Sequence, residues 1–228
     1  SPGYFYEVKA MPDEKMSVKS KPENITAYTS GAADPEMIRN FERHGFTVKH
    51  FNTGAEAREY LVEALQGRTI GFGGSITLRQ IGLYDALAKN NAVIWHHHAA
   101  SEEVRRLATA AKVYITSANA VSRTGEIVNI DGAGNRLAAS IYGPDQVYFV
   151  VGRNKITEDL PAALDRAKNV AAPLNAKRFN LKTPCAAKAD RCYDCNNKER
   201  ICRCTLIIER APNRLNSEII FIDEDLGY

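Results

Sequence analysis

From residue 35 onward, apolar positions recur at helical spacing and then in alternation. Met37, Ile38 and Phe41 share one face of a segment that Asp34 can cap and Pro35 can open, and Gly45 follows as a stop. FTVKHF alternates as a strand, TGAEAREYLVEALQG reads as a helix closed by Gly67, and RTIGF is a β-prone run entering a glycine cluster. The rhythm repeats with SITLRQIGLYDALAKN as helix, AVIW as strand, SEEVRRLATAA as helix behind Ser101, and KVYITSA as strand. Such alternation predicts a parallel sheet covered by helices.

Past Ala118 the pattern changes. GEIVNIDGAGNR predicts a strand ending in a tight Gly-rich turn, QVYFVVG another strand, and TEDLPAALDRAKNVAAPLNAKRF one long helix, with some antiparallel pairing expected in this part. TLIIER and SEIIFIDEDLG predict two closing strands, paired as a hairpin at a sheet edge. The expected organisation is an N-terminal arm over 1–33, polar and broken by prolines, then one α/β domain over 34–228 with a cysteine lobe, 182–204, inserted.

Composition acts mainly by exclusion. A chain of 228 residues can bury roughly 70% of its unfolded surface and needs no covalent staple. Thirty basic against 27 acidic side chains, a net charge of +3, give no dense basic face for a phosphate backbone, so a small-molecule or protein partner is expected and nucleic acid is not. No apolar window is long enough for a membrane span, and the opening residues lack the pattern of a secretion signal. A cytoplasmic location is the expectation.

Candidate chemistry collects where strands end. Gly71, Gly73, Gly74 and Ser75, with Thr77 just beyond, lie between a strand and a helix, where bare amides, a hydroxyl and a helix dipole can meet an anion. The alternative is a merely tight turn, and neither a dinucleotide nor a Walker pattern is present. The hydroxyls of Thr116 and Ser117 and the amide of Asn119 end another strand, and the rule for open sheets places them along the same crevice. Asp131, Gly132, Gly134, Asn135 and Arg136 combine permissive glycines, amide donors and a guanidinium suited to a carboxylate or phosphate. Glu126 and Asp131 are the candidate catalytic carboxylates, although a regular strand points them to opposite faces. Trp95 is expected in the core or crevice wall, and His96 and His98 allow chelation on an extended segment or a solvated loop.

All five cysteines fall within twenty residues. Cys185, Cys192, Cys195 and Cys202 follow a C-x6-C-x2-C-x6-C spacing whose central pair can converge on one metal and whose outer pair can complete four sulfur ligands. Zinc and an iron–sulfur cluster both suit four thiolates, while redox-active or oxidised pairs and inert thiols stand as alternatives. The surrounding Lys and Arg residues are expected to lower the thiol pKa values. Cys204 is the expected non-ligand.

GFGGSITLRQIGLYDAL, TSANAVSRTGEIVNIDGAGNR, NVAAPLNAKRF with KTPC, CYDCNNKERIC and the closing EDLGY together resemble the LUD domain family of lactate-utilization proteins, from about Arg58 to Tyr228. The resemblance implies a mixed, mostly parallel Rossmann-like sheet similar to the sugar-phosphate isomerase and coenzyme A transferase group. It also implies a link to L-lactate oxidation to pyruvate with iron–sulfur partner proteins. It supports Gly73, Gly74 and Ser75 as contacts to a small anionic metabolite without fixing the ligand. A free-standing isomerase or acyl transferase using Glu126 or Asp131, and a metal or iron–sulfur redox and assembly module, stand beside this reading. Whether the chain is an enzyme, and whether it forms a homo-oligomer, are left open.

Overall fold

The protein's computed structural model describes residues 34–95 and 101–228. The expected arm over 1–33 and His96, His97 and His98 lie outside the described residues. Helix α1 (Pro35–Arg43) opens at Asp34, whose side chain accepts the Glu36 N–H, as the Asp-Pro signal predicts. It is followed by β1 (Thr47–Phe51), α2 (Gly54–Ala64), β2 (Thr69–Phe72), α3 (Ile76–Gln80), α4 (Leu83–Ala88), β3 (Ala92–Trp95), α5 (Glu102–Thr109) and β4 (Val113–Thr116). A reciprocal box starts α2: Thr53 Oγ1 accepts the Glu56 N–H at 3.2 Å, and the Glu56 carboxylate accepts the Thr53 N–H at 3.0 Å. The single helix expected over 75–90 is interrupted at Gly82, whose φ of 65° no continuing helix allows, so α3 and α4 replace it.

The second half contains β5 (Ala120–Ser122), β6 (Ile127–Asp131), α6 (Asn135–Ile141), β7 (Gln146–Gly152), a 3₁₀ turn (Arg153–Lys155) and β8 (Ile156–Thr157). Next come α7 (Leu160–Arg166), a π-helical turn (Ala167–Ala171), α8 (Ala172–Arg178), α9 (Pro184–Lys188), β9 (Cys204–Ile208) and β10 (Asn216–Ile222). The long helix expected over 157–179 is therefore widened in the middle. Pro173 has no N–H to offer the carbonyl four residues back, and the π turn ends two residues before it.

Six strands form one sheet in the order β1-β10-β7-β4-β2-β3, with every neighbouring pair parallel. Its two faces bury separate cores. Met37, Phe41, Phe46, Phe149 and Phe221 pack on one side, and Leu61, Phe72, Leu83, Trp95, Val150 and Ile220 on the other. The mixed, mostly parallel α/β architecture is what the alternating pattern predicts. The closing hairpin is not. β10 runs through the sheet between β1 and β7, while β9 pairs antiparallel with β6 in a second sheet of order β8-β5-β6-β9. The reason lies in SEIIFI: Ser217 to Ile222 are all buried, the mark of a central strand covered on both faces rather than an edge strand with one wet face. The expected antiparallel pairing belongs to the second sheet, where β6 pairs with β5 and β9.

Beside β2 the chain continues outward to β3, and beside β4 it continues the other way to β7. These adjacent strands thus mark a switch point, and a crevice opens beyond their C-terminal ends. Among the described residues no helix is long and apolar enough to cross a membrane.

Candidate functional site

A cleft of about 270 Å³ occupies that crevice. Gly74 and Ser75 reach it from the end of β2, Ser117 and Asn119 from the end of β4, and Lys155 from the turn after β7. Asp131, Gly132, Asn135 and Arg136 close one side, and Asn175, Arg178 and Phe179 of α8 and its end close another.

Lys155 is the most unusual group. It is 3% exposed, and its Nζ donates to Thr77 Oγ1 at 2.8 Å and to Ser117 Oγ at 2.9 Å. Burial, then the nearby guanidiniums of Arg166 and Arg136, hold its pKa well below the ordinary 10.5. Two hydroxyls therefore accept from an amine that burial makes easier to deprotonate. The segment before Tyr228 seals this corner: Thr77 Oγ1 donates to the Leu226 carbonyl at 3.2 Å, and Asn154 Nδ2 donates to the Gly227 carbonyl at 3.2 Å. A Cβ on Gly227, whose φ is 66°, would stand 2.5 Å from Thr77 Oγ1 and 3.0 Å from Lys155 Nζ.

Arg136 is fixed by a buried amide network. Its Nη1 donates to Asn129 Oδ1 at 2.7 Å, and its Nη2 to the Ile130 carbonyl at 2.6 Å and Asn119 Oδ1 at 3.3 Å. Asn119 Oδ1 also accepts the Ile130 N–H at 2.7 Å, so the side chain at the end of β4 is held rigidly to β6. Asp131 accepts the backbone N–H groups of Gly132 at 2.8 Å and Arg136 at 3.1 Å, which shapes the turn into α6. Arg178 clasps Asn175 Oδ1 at 3.0 and 2.7 Å and stacks on Phe179 at 3.8 Å from the ring centre. Arg105, Arg136 and Arg178 line the cleft beside the Lys155 amine, against the single lining side-chain carboxylate of Asp131, and Arg105 is also paired with Glu102 at 2.6 Å. The cavity is electropositive.

Several sequence-derived candidates meet here: Gly74, Ser75, Asn119, Asp131, Gly132, Asn135 and Arg136 all face the cleft. Thr77 sits behind the wall and touches it through Lys155. Gly71 and Gly73 have packing roles instead. A Cβ at Gly71 would lie 1.9 Å from the Ala108 carbonyl oxygen, and one at Gly73 would lie 2.6 Å from Thr116 Oγ1. Gly134 serves its conformation, with φ at 84° and open space around it. The helix after the glycine loop spans only five residues and Ser75 caps it, so side-chain cations rather than a dipole supply the field. Glu126 lies outside the cleft, in the turn between β5 and β6, where its carboxylate accepts the hydroxyls of Ser122 and Thr124. Trp95 packs in the core, 4% exposed.

Lys155, Arg105, Arg178, Asn175 and Tyr228 are cleft residues that the sequence reading missed. For Lys155 a signal exists: it follows QVYFVVG by three positions, at the same strand end that flags Asn119.

Cys185, Cys192, Cys195 and Cys202 line a second, smaller cavity with Thr183, Arg200 and Ile201. All five cysteines are free thiols, and Cys204 is exposed at the start of β9. The Thr183 hydroxyl stands 3.3 Å from Cys185 Sγ, and the Asp194 N–H donates to Cys192 Sγ at 3.3 Å. Contrary to the expectation from the surrounding basic residues, the Cys202 thiol is pushed up, because burial outweighs the opposing pull of Arg200. Among the described residues no three Cys, His, Asp or Glu side chains already stand in metal-ligand geometry.

Three comparisons with known proteins complete the description. The family model of the LUD domain matches residues 35–222. A solved DUF162 family protein from Deinococcus radiodurans is similar at 16% identity and a TM-score of 0.45, over 82% of this chain and 96% of its own. Ribose 5 phosphate isomerase A from Neisseria gonorrhoeae is similar at 19% identity and a TM-score of 0.31, over 47% of this chain and 54% of its own. No curated protein matches the chain.

Proposed function

The chain belongs to the LUD domain family, and from that premise we propose that its cleft binds a small anionic metabolite, a 2-hydroxy or 2-oxo monocarboxylate of L-lactate utilization. One observation carries the reading: the guanidiniums of Arg105, Arg136 and Arg178 line, with the Lys155 amine, a small cavity whose lining contains one side-chain carboxylate. A carboxylate entering there exchanges water for guanidinium donors in a partly desolvated site, where such bonds are strong. The pre-formed amide network around Arg136 lowers the ordering cost of binding. The two electrons of lactate oxidation go to iron–sulfur partner proteins, and the site is cytoplasmic, in keeping with the five unpaired cysteines.

Isothermal titration with L-lactate, pyruvate and sugar phosphates tests this. Binding of a monocarboxylate that falls at least about tenfold in Arg136→Ala supports it. Equal binding in the variant, or none by the wild type, defeats it.

A second reading is favoured by Lys155 itself. A buried amine whose pKa is lowered, in the wall of an anion cleft that Asp131 also lines, is placed to act as base or nucleophile on a carbonyl, as a free-standing isomerase or acyl transferase requires. Turnover on a panel of sugar phosphates and acyl-CoA esters, abolished in Lys155→Arg, would establish it. An inactive wild type on that panel would remove it.

A further inference from the structure

The cysteine lobe is independent of the anion cleft in its chemistry but adjoins it in space. Cys185 stands on α9, Cys192 and Cys195 on the loop after it, and Cys202 just before β9. Residues up to seventeen positions apart therefore line one small cavity, while Cys204, two residues further, is exposed and outside it. The pattern separates four cavity-lining thiols from one exposed thiol.

We propose that Cys185, Cys192, Cys195 and Cys202 together hold one thiophilic metal centre, a zinc ion or an iron–sulfur cluster, that pins the lobe against the anion cleft. Four sulfurs in a small space select soft metals over calcium or magnesium. The surroundings suit thiolates. The Asp194 N–H already bonds Cys192 Sγ, the Thr183 hydroxyl is within reach of Cys185 Sγ, and Arg200 donates to the carbonyls of Cys195 at 2.8 Å and Cys202 at 3.0 Å, bringing a positive charge to the cavity. Asn169, on the π turn before α8, accepts the Cys192 N–H at 3.0 Å and ties the loop to the helix that walls the cleft. Ligation draws the sulfurs inward, and each thiol that becomes a ligand gives its proton to solvent.

The link to the cleft is structural. Ile201 lines both cavities, its carbonyl oxygen lies 3.1 Å from where a Cβ of Gly132 would be, and the Arg203 N–H donates to the Asp131 carbonyl at 2.9 Å. Fixing Cys202 thus fixes the segment that abuts the Asp131–Gly132 turn.

The full chain is purified anaerobically, and iron, sulfide and zinc are measured per chain in the wild type, in Cys192→Ser/Cys195→Ser and in Cys204→Ser. Stoichiometric zinc identifies a single ion. Stoichiometric iron and sulfide with broad absorbance near about 400 nm identifies a cluster. Either is expected, retained in Cys204→Ser and lost in the double variant. X-ray absorption at the metal edge of the wild type should show about four sulfurs, near 2.3 Å if zinc, which decides the matter even if the double variant does not fold. No metal after anaerobic reconstitution with zinc or with iron and sulfide, a metal with fewer than three sulfurs, or metal kept by the double variant would overturn the proposal. None of these outcomes depends on whether the cleft binds a metabolite.

Discussion

Lys155 Nζ donates to Ser117 Oγ at 2.9 Å, joining the ends of β7 and β4 inside the protein. Lys155 has no acidic ion-pair partner among the described residues, and burying an amine without one is costly for folding.

In the folded chain burial keeps Lys155 deprotonated at pH values where the unfolded chain would protonate it, so unfolding takes up a proton. Stability therefore rises with pH from the lowered folded pKa to the ordinary 10.5, and the penalty is gone above that. Lys155→Met should raise stability at neutral pH by on the order of 1–2 kcal/mol, a melting shift of roughly 2–8 °C. The gain should fade as pH approaches 10.5. Thermal melts of both proteins between neutral and alkaline pH check this, and a variant less stable at every pH contradicts it.

An anion arriving beside an amine whose pKa burial has lowered favours its protonated form. Ligand binding should therefore take up a proton, and affinity should weaken as pH rises. Titrations in buffers of differing ionisation enthalpy will show an apparent heat that varies with buffer in the wild type and not in Lys155→Met. Identical heats in all buffers would mean that Lys155 is not at the ligand.

Gly71 separates packing from ligand contact. Its missing Cβ lets β2 approach α5, since a methyl there would lie 1.9 Å from the Ala108 carbonyl oxygen. Gly71→Ala should destabilise by about 2 kcal/mol or more through forced separation of strand and helix. Denaturant unfolding measures it, and an unchanged midpoint would refute the packing role.

Glu126 should be dispensable for binding. Its carboxylate serves the turn between β5 and β6, so Glu126→Gln should cost about 1 kcal/mol of stability through the Ser122 and Thr124 hydrogen bonds and leave ligand affinity within about twofold. Affinity lost tenfold with the fold intact would return Glu126 to the site.

Much of this was legible from spacing. The apolar runs of FTVKHF, RTIGF, KVYITSA and QVYFVVG predict the parallel sheet, and the strand-end rule then gathers Gly74, Asn119 and Asp131, which meet in the cleft. The central place of β10 is not legible in SEIIFI, because a short apolar run looks the same whether it closes an edge or fills the centre, and only tertiary packing decides. Gly71 and Gly73 mimic a ligand loop because close approach of protein backbone and close approach of a ligand both demand glycine. Lys155 looks like a solvated loop residue in RNK, and its burial comes from Thr77, Ser117 and the Gly227 segment, far away in sequence. Arg178 and Tyr228 reach the cleft through the long-range fold alone, which no local pattern records.

The most direct test of the account is calorimetric titration of the wild type, Lys155→Met and Arg136→Ala with L-lactate and pyruvate, with sugar phosphates alongside. Saturable binding of a monocarboxylate by the wild type, weakened at least about tenfold by each substitution in folded protein, is the result expected. Wild-type protein that binds none of these anions, or variants that bind them as well as the wild type does, would contradict the claim that this cleft is an anion site.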